Sequence, residues 1–546
     1  MATIKRPKIR SYIKKVITVL LPLFSTLFIV GTTAIIIALI NGYSLDFTKR
    51  TVIKTGVLNV ETIPTDADIN VSGEYYGKSN RAIPNLKIGD YTVSLSKEGY
   101  YSYTKKVEVQ HGLASPVIVP LLRTDGQKEI IDLSKTLTFD SNSTGYYVLS
   151  SAELVTEGTT SEAATPTPTP TKEKAKQEPT NSYILTRIYV TKPLFDDPHP
   201  VLDEKMTITS LAATPISSIS VSPTGKLLLV TLSDKAGNKS ISLVPFKRNS
   251  SVNANLTDAK SLTSYNKMKG TTLKWSENGD YIIVDTPDQI ISYNVKAGTR
   301  VILAEKSELT ANGEKMIWNM TESGIAIIRK LSGTKTNTYE INDVSYNGNP
   351  LTTQLPTLQF EQPPTNIWSF STDDTPRFLV TTKTASYLVG KLYDAKESDY
   401  SITLTQEKIG DITIEHFAED YSRIKISNEE ITVPPIFINE KHMLSFTENK
   451  GTHLVLFIYN KRSADKLTKL GRTELFSAKD SLSEITPLAL ASYIAAKSAD
   501  TLIVSDTTGE NVLTFQTGLQ TFVLGQNDTA LMFTDQKNIL YFRVIR

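Results

Sequence analysis

Cysteine is absent from all 546 residues. That excludes a disulfide framework, a thiolate nucleophile and any Cys-ligated metal site, and it leaves either side of a membrane open as the compartment. Histidine is scarce as well. His111, His199, His416, His442 and His453 are scattered without ligand spacing, and His199 stands between Pro198 and Pro200 in what reads as an extended, exposed loop. No G-x-S-x-G elbow, GxxxxGK[ST] loop or HExxH helix occurs, which removes the usual marks of serine hydrolases, P-loop enzymes and zinc proteases. No catalytic residue, cofactor or metal is therefore assigned, and the ligand-binding residues stay unknown. Long stretches of helical periodicity are also missing beyond residue 42. Thr, Ser, Val, Ile and Tyr run through the rest, and these suit pleated strands. An all-β body is the consequence.

Acidic residues are missing from one place in particular. Residues 1–15 carry Lys5, Arg6, Lys8, Arg10, Lys14 and Lys15 with no carboxylate. Setting those six aside from 59 basic residues leaves 53 against 57 acidic ones. A mildly acidic remainder has no electrostatic footprint for nucleic acid. The basic cluster is explained by its neighbour, the 25 uncharged residues from Val16 to Ile40. As a helix that run is about 37 Å long, enough to cross a hydrocarbon core of about 30 Å with some tilt. Pro22 is tolerated near the end of such a helix, and Tyr12 and Tyr43 sit where interfacial aromatics belong. Positive charge before the span keeps residues 1–15 cytoplasmic and exports the chain beyond residue 42. A cleaved signal peptide would have a shorter apolar core and a small-residue cleavage site, which Ala38-Leu39-Ile40-Asn41-Gly42 does not supply. The length and basic flank also argue against a buried core helix. The expectation is a single-pass cell-membrane protein with residues 16–40 as the transmembrane helix.

Residues 52–122 read as short strands punctuated by Gly73, Gly89-Asp90 and Gly99. Alternation is plain in Val57–Thr62 and Tyr91–Ser96. Pro64-Thr65-Asp66-Ala67 leads to Ile69-Asn70-Val71-Ser72-Gly73. Ile83-Pro84, Gly89-Asp90-Tyr91-Thr92-Val93-Ser94-Leu95 and Lys97-Glu98-Gly99-Tyr100 come next. This order resembles the PEGA domain. The resemblance implies a small extracytoplasmic β-sandwich of bacterial or archaeal surface proteins, without enzymatic activity.

Residues 156–182 have no large apolar side chain and include an alternating Thr-Pro run, so they read as extended, solvated and disordered. They are either a linker or a loop inserted between two strands, Tyr146–Ser150 and Tyr183–Val190. The inserted loop is favoured because closure entropy rises slowly with length.

From residue 216 a strand–turn–strand unit recurs. Ile219-Ser220-Val221-Ser222-Pro223-Thr224-Gly225 into Leu227–Val230 matches Leu273-Lys274-Trp275-Ser276-Glu277-Asn278-Gly279 into Tyr281–Val284. Looser copies begin at Ile317, Trp368, His416, Leu444, Ala491 and Phe522. The spacing suits four-stranded propeller blades, and the unit resembles WD40-like and TolB-like β-propellers. Seven or eight blades over 125–546 are expected, with Ile539–Val544 closing the ring; tandem β-sandwiches are the alternative. Trp275, Trp318 and Trp368 invite a sugar-binding rim, but they read first as packing residues at matching places in the repeat.

Asp66/Asp68, Asp196-Asp197 and Asp373-Asp374 lack the ordered oxygen ligands of a calcium loop and read as solvated turns. The Asn-x-Ser/Thr triplets at Asn142, Asn249, Asn255, Asn319 and Asn527 are ordinary in a Ser/Thr-rich chain. The expected function is non-catalytic: a membrane-anchored extracytoplasmic protein whose propeller binds an envelope protein or glycan. A propeller glycosidase or lyase acting on envelope polysaccharide is the alternative, and it would converge several carboxylates on one channel mouth. A structural envelope spacer would have no pocketed mouth.

Overall fold

The computed structural model describes residues 9–46, 51–152, 180–191, 198–254, 271–306, 316–331, 337–351, 357–370, 377–391, 405–409, 412–416, 421–438, 443–458, 462–463, 466–467, 471–489, 491–525 and 530–545. The chain divides into two compact units after Asp125.

In the first unit, helix α1 spans Ile9–Ile40, so the helix starts seven residues before the uncharged run. Its described side chains cover 22–38, 17 residues. Among the described residues no helix is long and apolar enough to cross a membrane. Asn41 ends the helix by returning its N–H and its side-chain amide to the Ile37 carbonyl at 3.0 and 2.8 Å. Two sheets come after it. In one, the long strand Thr51–Ile63 pairs with Tyr43–Asp46, Arg81–Lys87 and, in parallel, Ala114–Pro120. The other runs in the order Glu74–Lys78, Asp68–Val71, Gly89–Ser96, Tyr103–Val109. Period-two alternation puts Leu58, Val60, Ile69, Val93 and Leu95 in the core at 0% exposure, where apolar burial holds the layers together.

In the second unit, the described residues form eight blade sheets in chain order and one two-stranded hairpin, Arg462–Ser463 with Lys466–Leu467. Blade 1 joins Lys128–Asp132 to Leu519–Leu524, Ala530–Asp535 and Ile539–Val544, with Ile539–Val544 antiparallel to Lys128–Asp132. Blade 2 is Thr138–Asn142, Gly145–Ser151, Thr180–Thr191 and His199–Leu211, with Ser251–Asn253 added in parallel at its edge, and blade 3 is Ile216–Val221, Leu227–Ser233 and Lys239–Pro245. Blade 4 is Thr272–Trp275, Tyr281–Asp285, Gln289–Asn294 and Thr299–Glu305. Blade 5 is Ile317–Met320, Gly324–Lys330, Thr338–Ser345 and Leu358–Gln359. Blade 6 comprises Pro364–Ser369, Arg377–Thr382, Ser386–Lys391 and Tyr421–Ser427, extended by a hairpin of Thr405–Ile409 and Ile412–His416. Blade 7 is Ile436–Ile438, Met443–Glu448, His453–Ile458 and Gly471–Ser477. Blade 8 is Leu482–Leu488, Tyr493–Ser498, Thr501–Asp506 and Val512–Gln516.

Packing closes these sheets into a ring. Separate apolar cores join blades 1 and 2 (Val148, Met532), 2 and 3 (Leu185, Val230), 3 and 4 (Leu229, Ile282), and 4 and 5 (Ile283, Ile325). Others join 5 and 6 (Ile341, Phe378), 6 and 7 (Leu379, Phe446), and 7 and 8 (Leu456, Ile494). Blade 8 meets blade 1 through Arg543, which donates to the Phe515 carbonyl and stands 4.0 Å over the Phe515 ring. Each sheet buries both faces only by having a neighbour on each side, which is the physical basis of a β-propeller.

The recurring turn has a local cause. The Ser222, Ser276 and Thr321 hydroxyls accept the N–H of Leu227, Tyr281 and Gly324 at 3.1, 3.0 and 2.8 Å. Gly225 adopts φ +69°, and a Cβ there would lie 2.2 Å from the Tyr147 hydroxyl, so a side chain is excluded.

Several sequence expectations need correction. Thr180–Ser182, read as the end of the Thr/Pro-rich segment 156–182, belong to a blade 2 strand, opposite Thr209–Leu211; their backbone is claimed by ladder hydrogen bonds despite their polar side chains. Gly145–Ser151 and Thr180–Thr191 pair directly, Ser151 opposite Tyr183, and 153–179 lie outside the described residues. His416 opens no blade, because its strand belongs to the hairpin that widens blade 6. The copies at Leu444 and Ala491 are second and third strands of blades 7 and 8, not first and second. His199 starts a strand opposite Thr191.

Candidate functional site

The first strands of blades 2 and 3, of blades 5 and 6, and of blades 7 and 8 touch one another, as the innermost strands of a propeller do. Near the start of those in blades 5 and 6 lies a cavity of about 490 Å³. Met316, Ile317 and Trp318 line it from blade 5, Thr365 and Asn366 from blade 6, and Asp285, Pro287 and Lys306 from blade 4. Blade 4 contributes through the turn linking Tyr281–Asp285 to Gln289–Asn294. There the Thr286 side chain accepts the Gln289 N–H and donates to its carbonyl, both at 2.9 Å.

Charge in the cavity is paired. Lys306 bonds the Asp285 carboxylate at 2.6 Å and also donates to the Thr286 carbonyl. The Lys306 and Asp285 side chains keep 23% and 25% of their exposure, so the pair is a polar wall reachable from solvent. Asn366 Oδ1 accepts the Ile367 N–H at 2.9 Å, which turns the amide nitrogen to other acceptors. Thr365 donates to the Thr381 carbonyl at 3.2 Å. Lys274 lies 5.7 Å from the Trp318 ring centroid. An aromatic surface, an amide and a neutralised ion pair suit a ligand that is polar, uncharged and partly apolar.

Carboxylates gather elsewhere. Glu277 and Glu322 come directly after Ser276 and Thr321 in the turns that end the first strands of blades 4 and 5, at the opposite end of those strands from the cavity. Desolvation, and then the charge of Glu322, push the Glu277 carboxyl above its ordinary range. Behind them Asp343, 3% exposed, is raised by burial from 3.8 to about 6. Its Oδ1 has no hydrogen-bond partner among the described residues.

The three tryptophans are packing residues, but not at matching places. Trp275, Trp318 and Trp368 precede the turn residues Ser276, Thr321 and Phe370 by one, three and two positions. Side chains alternate along a strand. Trp275 and Trp318 therefore pack toward the preceding blade, and Trp368 toward the following one. Trp318 alone of the three also lines the cavity.

Other residues singled out in the sequence are structural. Asp68 pairs with Lys78 at 2.7 Å and accepts from Tyr75 at 3.0 Å, and Asp66 holds a turn at φ 65°. His111 packs edge-on against Tyr43 at 4.7 Å, His199 lies 3.2 Å from the Thr191 hydroxyl, and His453 is 3.2 Å from Glu474. Asn142 bonds the Ser222 carbonyl at 2.7 Å, Asn319 accepts the Met320 N–H at 2.9 Å, and Asn249 turns at φ 55°. The His416 strand is described but not its side chain. Asp196-Asp197, Asp373-Asp374, His442, Asn255 and Asn527 lie outside the described residues. Among the described residues no group of three His, Asp or Glu side chains is arranged to hold a metal.

Residues 55–124 match the PEGA domain family, on the segment whose motifs resemble it. No curated protein matches the chain. Solved structures similar to it include the Cps50 (Swd1) β-propeller domain of Myceliophteria thermophila, at 12% identity and TM-score 0.29, covering 65% of this chain and 99% of that one. A chain of a mitotic checkpoint complex is similar at 12% identity and TM-score 0.32, covering 71% and 99%. An oligogalacturonate lyase from Vibrio parahaemolyticus is similar at 10% identity and TM-score 0.34, covering 66% and 93%. The ring of eight blades rests on strand pairing and core packing, independently of these likenesses.

Proposed function

We propose that the chain is a membrane-anchored, extracytoplasmic binding protein whose propeller holds an uncharged envelope glycan in the cavity between blades 4, 5 and 6. The observation that carries this reading is the cavity itself, where Trp318, Asn366 and the Asp285–Lys306 pair face one space. Sugar rings present apolar faces to an aromatic and hydroxyls to amides and ion pairs. Among the described residues that line the cavity, Asp285 is the only carboxylate, and Lys306 neutralises it. The Glu277–Glu322 pair lies at the other end of the same strands. That separation favours binding over glycoside cleavage, which needs two carboxyl groups flanking one bond.

The anchor reading is supported by nine apolar side chains from Leu23 to Ile37 that are 49–72% exposed. They lie on every side of α1, and a helix apolar all round belongs in a protein core or a bilayer. The hydroxyls of Ser25, Thr26 and Thr32 bond back to carbonyls of the same helix at 2.8–3.0 Å, as an apolar surrounding requires. The basic cluster before the run supports a cytoplasmic N-terminus and a body on the other side of the membrane.

The test is a glycan array and an envelope-extract pull-down with the full chain in detergent, beside Trp318→Ala and Asn366→Ala. Capture of a neutral glycan without turnover, lost in both variants, supports the reading. Release of sugars, or capture unaffected by either substitution, overturns it.

A further inference from the structure

Where α1 enters the first unit, the chain is locked rather than loosely tethered. The Thr55 N–H donates to the Gly42 carbonyl at 2.7 Å, and the Gly112 N–H donates to the Thr55 carbonyl at 3.0 Å. A Cβ on Gly42 would lie 2.7 Å from the Gly112 backbone and 2.8 Å from the Thr55 carbonyl, so only glycine permits this approach. Strand pairing brings further residues to the same end. Lys54 lies opposite Tyr43, Lys87 opposite Thr55, and Gly89 opposite Val109, and the Val57 N–H donates to the Leu113 carbonyl at 3.0 Å. The helix exit, the turn around Ile88 and the turn at 110–113 therefore share one tip.

That tip has an unusual surface. Leu113 and Ile88 are 57% and 45% exposed, although each is a large apolar side chain. Lys54 and Lys87 beside them are exposed. A cavity of about 600 Å³ opens here between Ala34, Ile37 and Ala38 of the helix and Tyr43, His111 and Gly112. His111 Nε2 is buried there with no hydrogen-bond partner among the described residues. Exposed aliphatics, flanking lysines and interfacial aromatics around the end of an apolar helix are the chemistry of the lipid headgroup layer.

We propose that this tip docks on the bilayer. Leu113 and Ile88 enter the acyl boundary, Lys54 and Lys87 meet lipid phosphates, and a headgroup oxygen reaches His111 in the cavity. The inference rests on the membrane-anchor reading, and it adds that the first unit sits directly on the lipid surface instead of standing away from it.

The absence of cysteine makes the test clean, because a single introduced thiol labels one site. Ile29→Cys, Ile88→Cys, Leu113→Cys and Ile118→Cys are each coupled to an environment-sensitive fluorophore. The full chains are then reconstituted in vesicles of phosphatidylcholine and phosphatidylglycerol with and without spin-labelled lipid. Ile118 is 62% exposed but lies about 16 Å along its strand from Leu113. It serves as the aqueous reference, and unchanged circular dichroism verifies folding. The expected result is emission lowered about twofold by spin-labelled lipid at 88 and 113, as for groups about 5–10 Å into the boundary, with strong quenching at 29 and none at 118. Reversing Lys54 and Lys87 to Glu weakens the quenching at 88 and 113 on the anionic vesicles. Labels at 88 and 113 that behave like 118 while 29 is quenched overturn the docking tip and leave the anchor standing. An unquenched label at 29 removes the anchor, and the docking tip with it.

Discussion

Arg543 is the clearest place to test whether the ring is closed by chemistry or only by proximity. It lies in Ile539–Val544, the third strand of blade 1, is 6% exposed, and reaches into blade 8. There it donates to the Phe515 carbonyl and, at 3.0 Å, to Gln516 Oε1, with its guanidinium 4.0 Å over the Phe515 ring. Arg543→Met keeps the aliphatic stem but removes the charge and the donors. The lost charge-assisted hydrogen bonds are worth about 1.5–3 kcal/mol, and the cation–π contact about 1–2 kcal/mol when desolvated. Together they give a net loss of about 3–4 kcal/mol. At about 2.1 cal/mol/K per residue, the roughly 420 residues from Gly126 to Ile545 carry about 0.9 kcal/mol/K of unfolding entropy, so Tm falls by about 4 °C. Tryptophan emission reports the transition, because all three tryptophans lie in blades 4–6, away from the junction. Phe515→Ala completes a double-mutant cycle, with coupling of about 1–2 kcal/mol. A variant melting within about 1 °C of the parent, or strictly additive single effects, refutes the claim that this contact closes the ring.

Burial raises the Asp343 carboxyl from 3.8 to about 6, so the folded state prefers its neutral form. The stability this confers is full below about pH 3.8 and lost as pH rises through about 6; urea unfolding should show Asp343→Asn gaining about 2–3 kcal/mol on the parent between pH 4 and pH 7.5. A difference independent of pH would contradict the assignment. Deleting residues 156–176 shortens the connection between Gly145–Ser151 and Thr180–Thr191, whose pairing persists to Ser151–Tyr183, and should raise stability by about 1 kcal/mol through reduced closure entropy, read by denaturant midpoint. Gly225→Ala forces a Cβ within 2.2 Å of the Tyr147 hydroxyl at φ +69° and should cost about 1–3 kcal/mol, partly recovered with Tyr147→Phe.

The features legible in the sequence were those that short-range chemistry writes. Ser276-Glu277-Asn278-Gly279 announces its turn because the Ser hydroxyl must accept the Tyr281 N–H and Gly279 must reach φ +72°. Where the turn lacks that signature, the phase is lost. Met443–Glu448 and His453–Ile458 form an apolar pair with a sharp turn and so imitate the first two strands of a blade, yet the first strand of blade 7 is Ile436–Ile438, only three residues long. The cavity was hidden for a different reason. Asp285 and Lys306 are 21 residues apart and meet only because two intervening strands fold back on each other. Asn366 joins them from another sheet, and no local pattern encodes a meeting of three blades.

The tryptophans show why the repeat is better described by geometry than by aligned residues. Each blade interface needs large apolar volume, but the two faces of a strand supply volume to opposite neighbours. Moving a tryptophan by one position along its strand therefore changes which junction it fills. Trp275, one residue before its turn, serves the junction of blades 3 and 4, whereas Trp368, two residues before, serves that of blades 6 and 7. Junctions without a tryptophan fill the same space otherwise, as where Tyr147 packs edge-on against Phe246 at 5.7 Å between blades 2 and 3. Trp318 returns to the odd face, and from there it reaches both the core of blades 4 and 5 and the cavity. Its replacement by alanine should thus lower ligand capture and cost several kcal/mol of packing, while Asn366→Ala lowers capture and costs only about 1 kcal/mol for the lost bond to the Ile367 N–H. Equal losses of stability in the two variants would break the argument from strand parity.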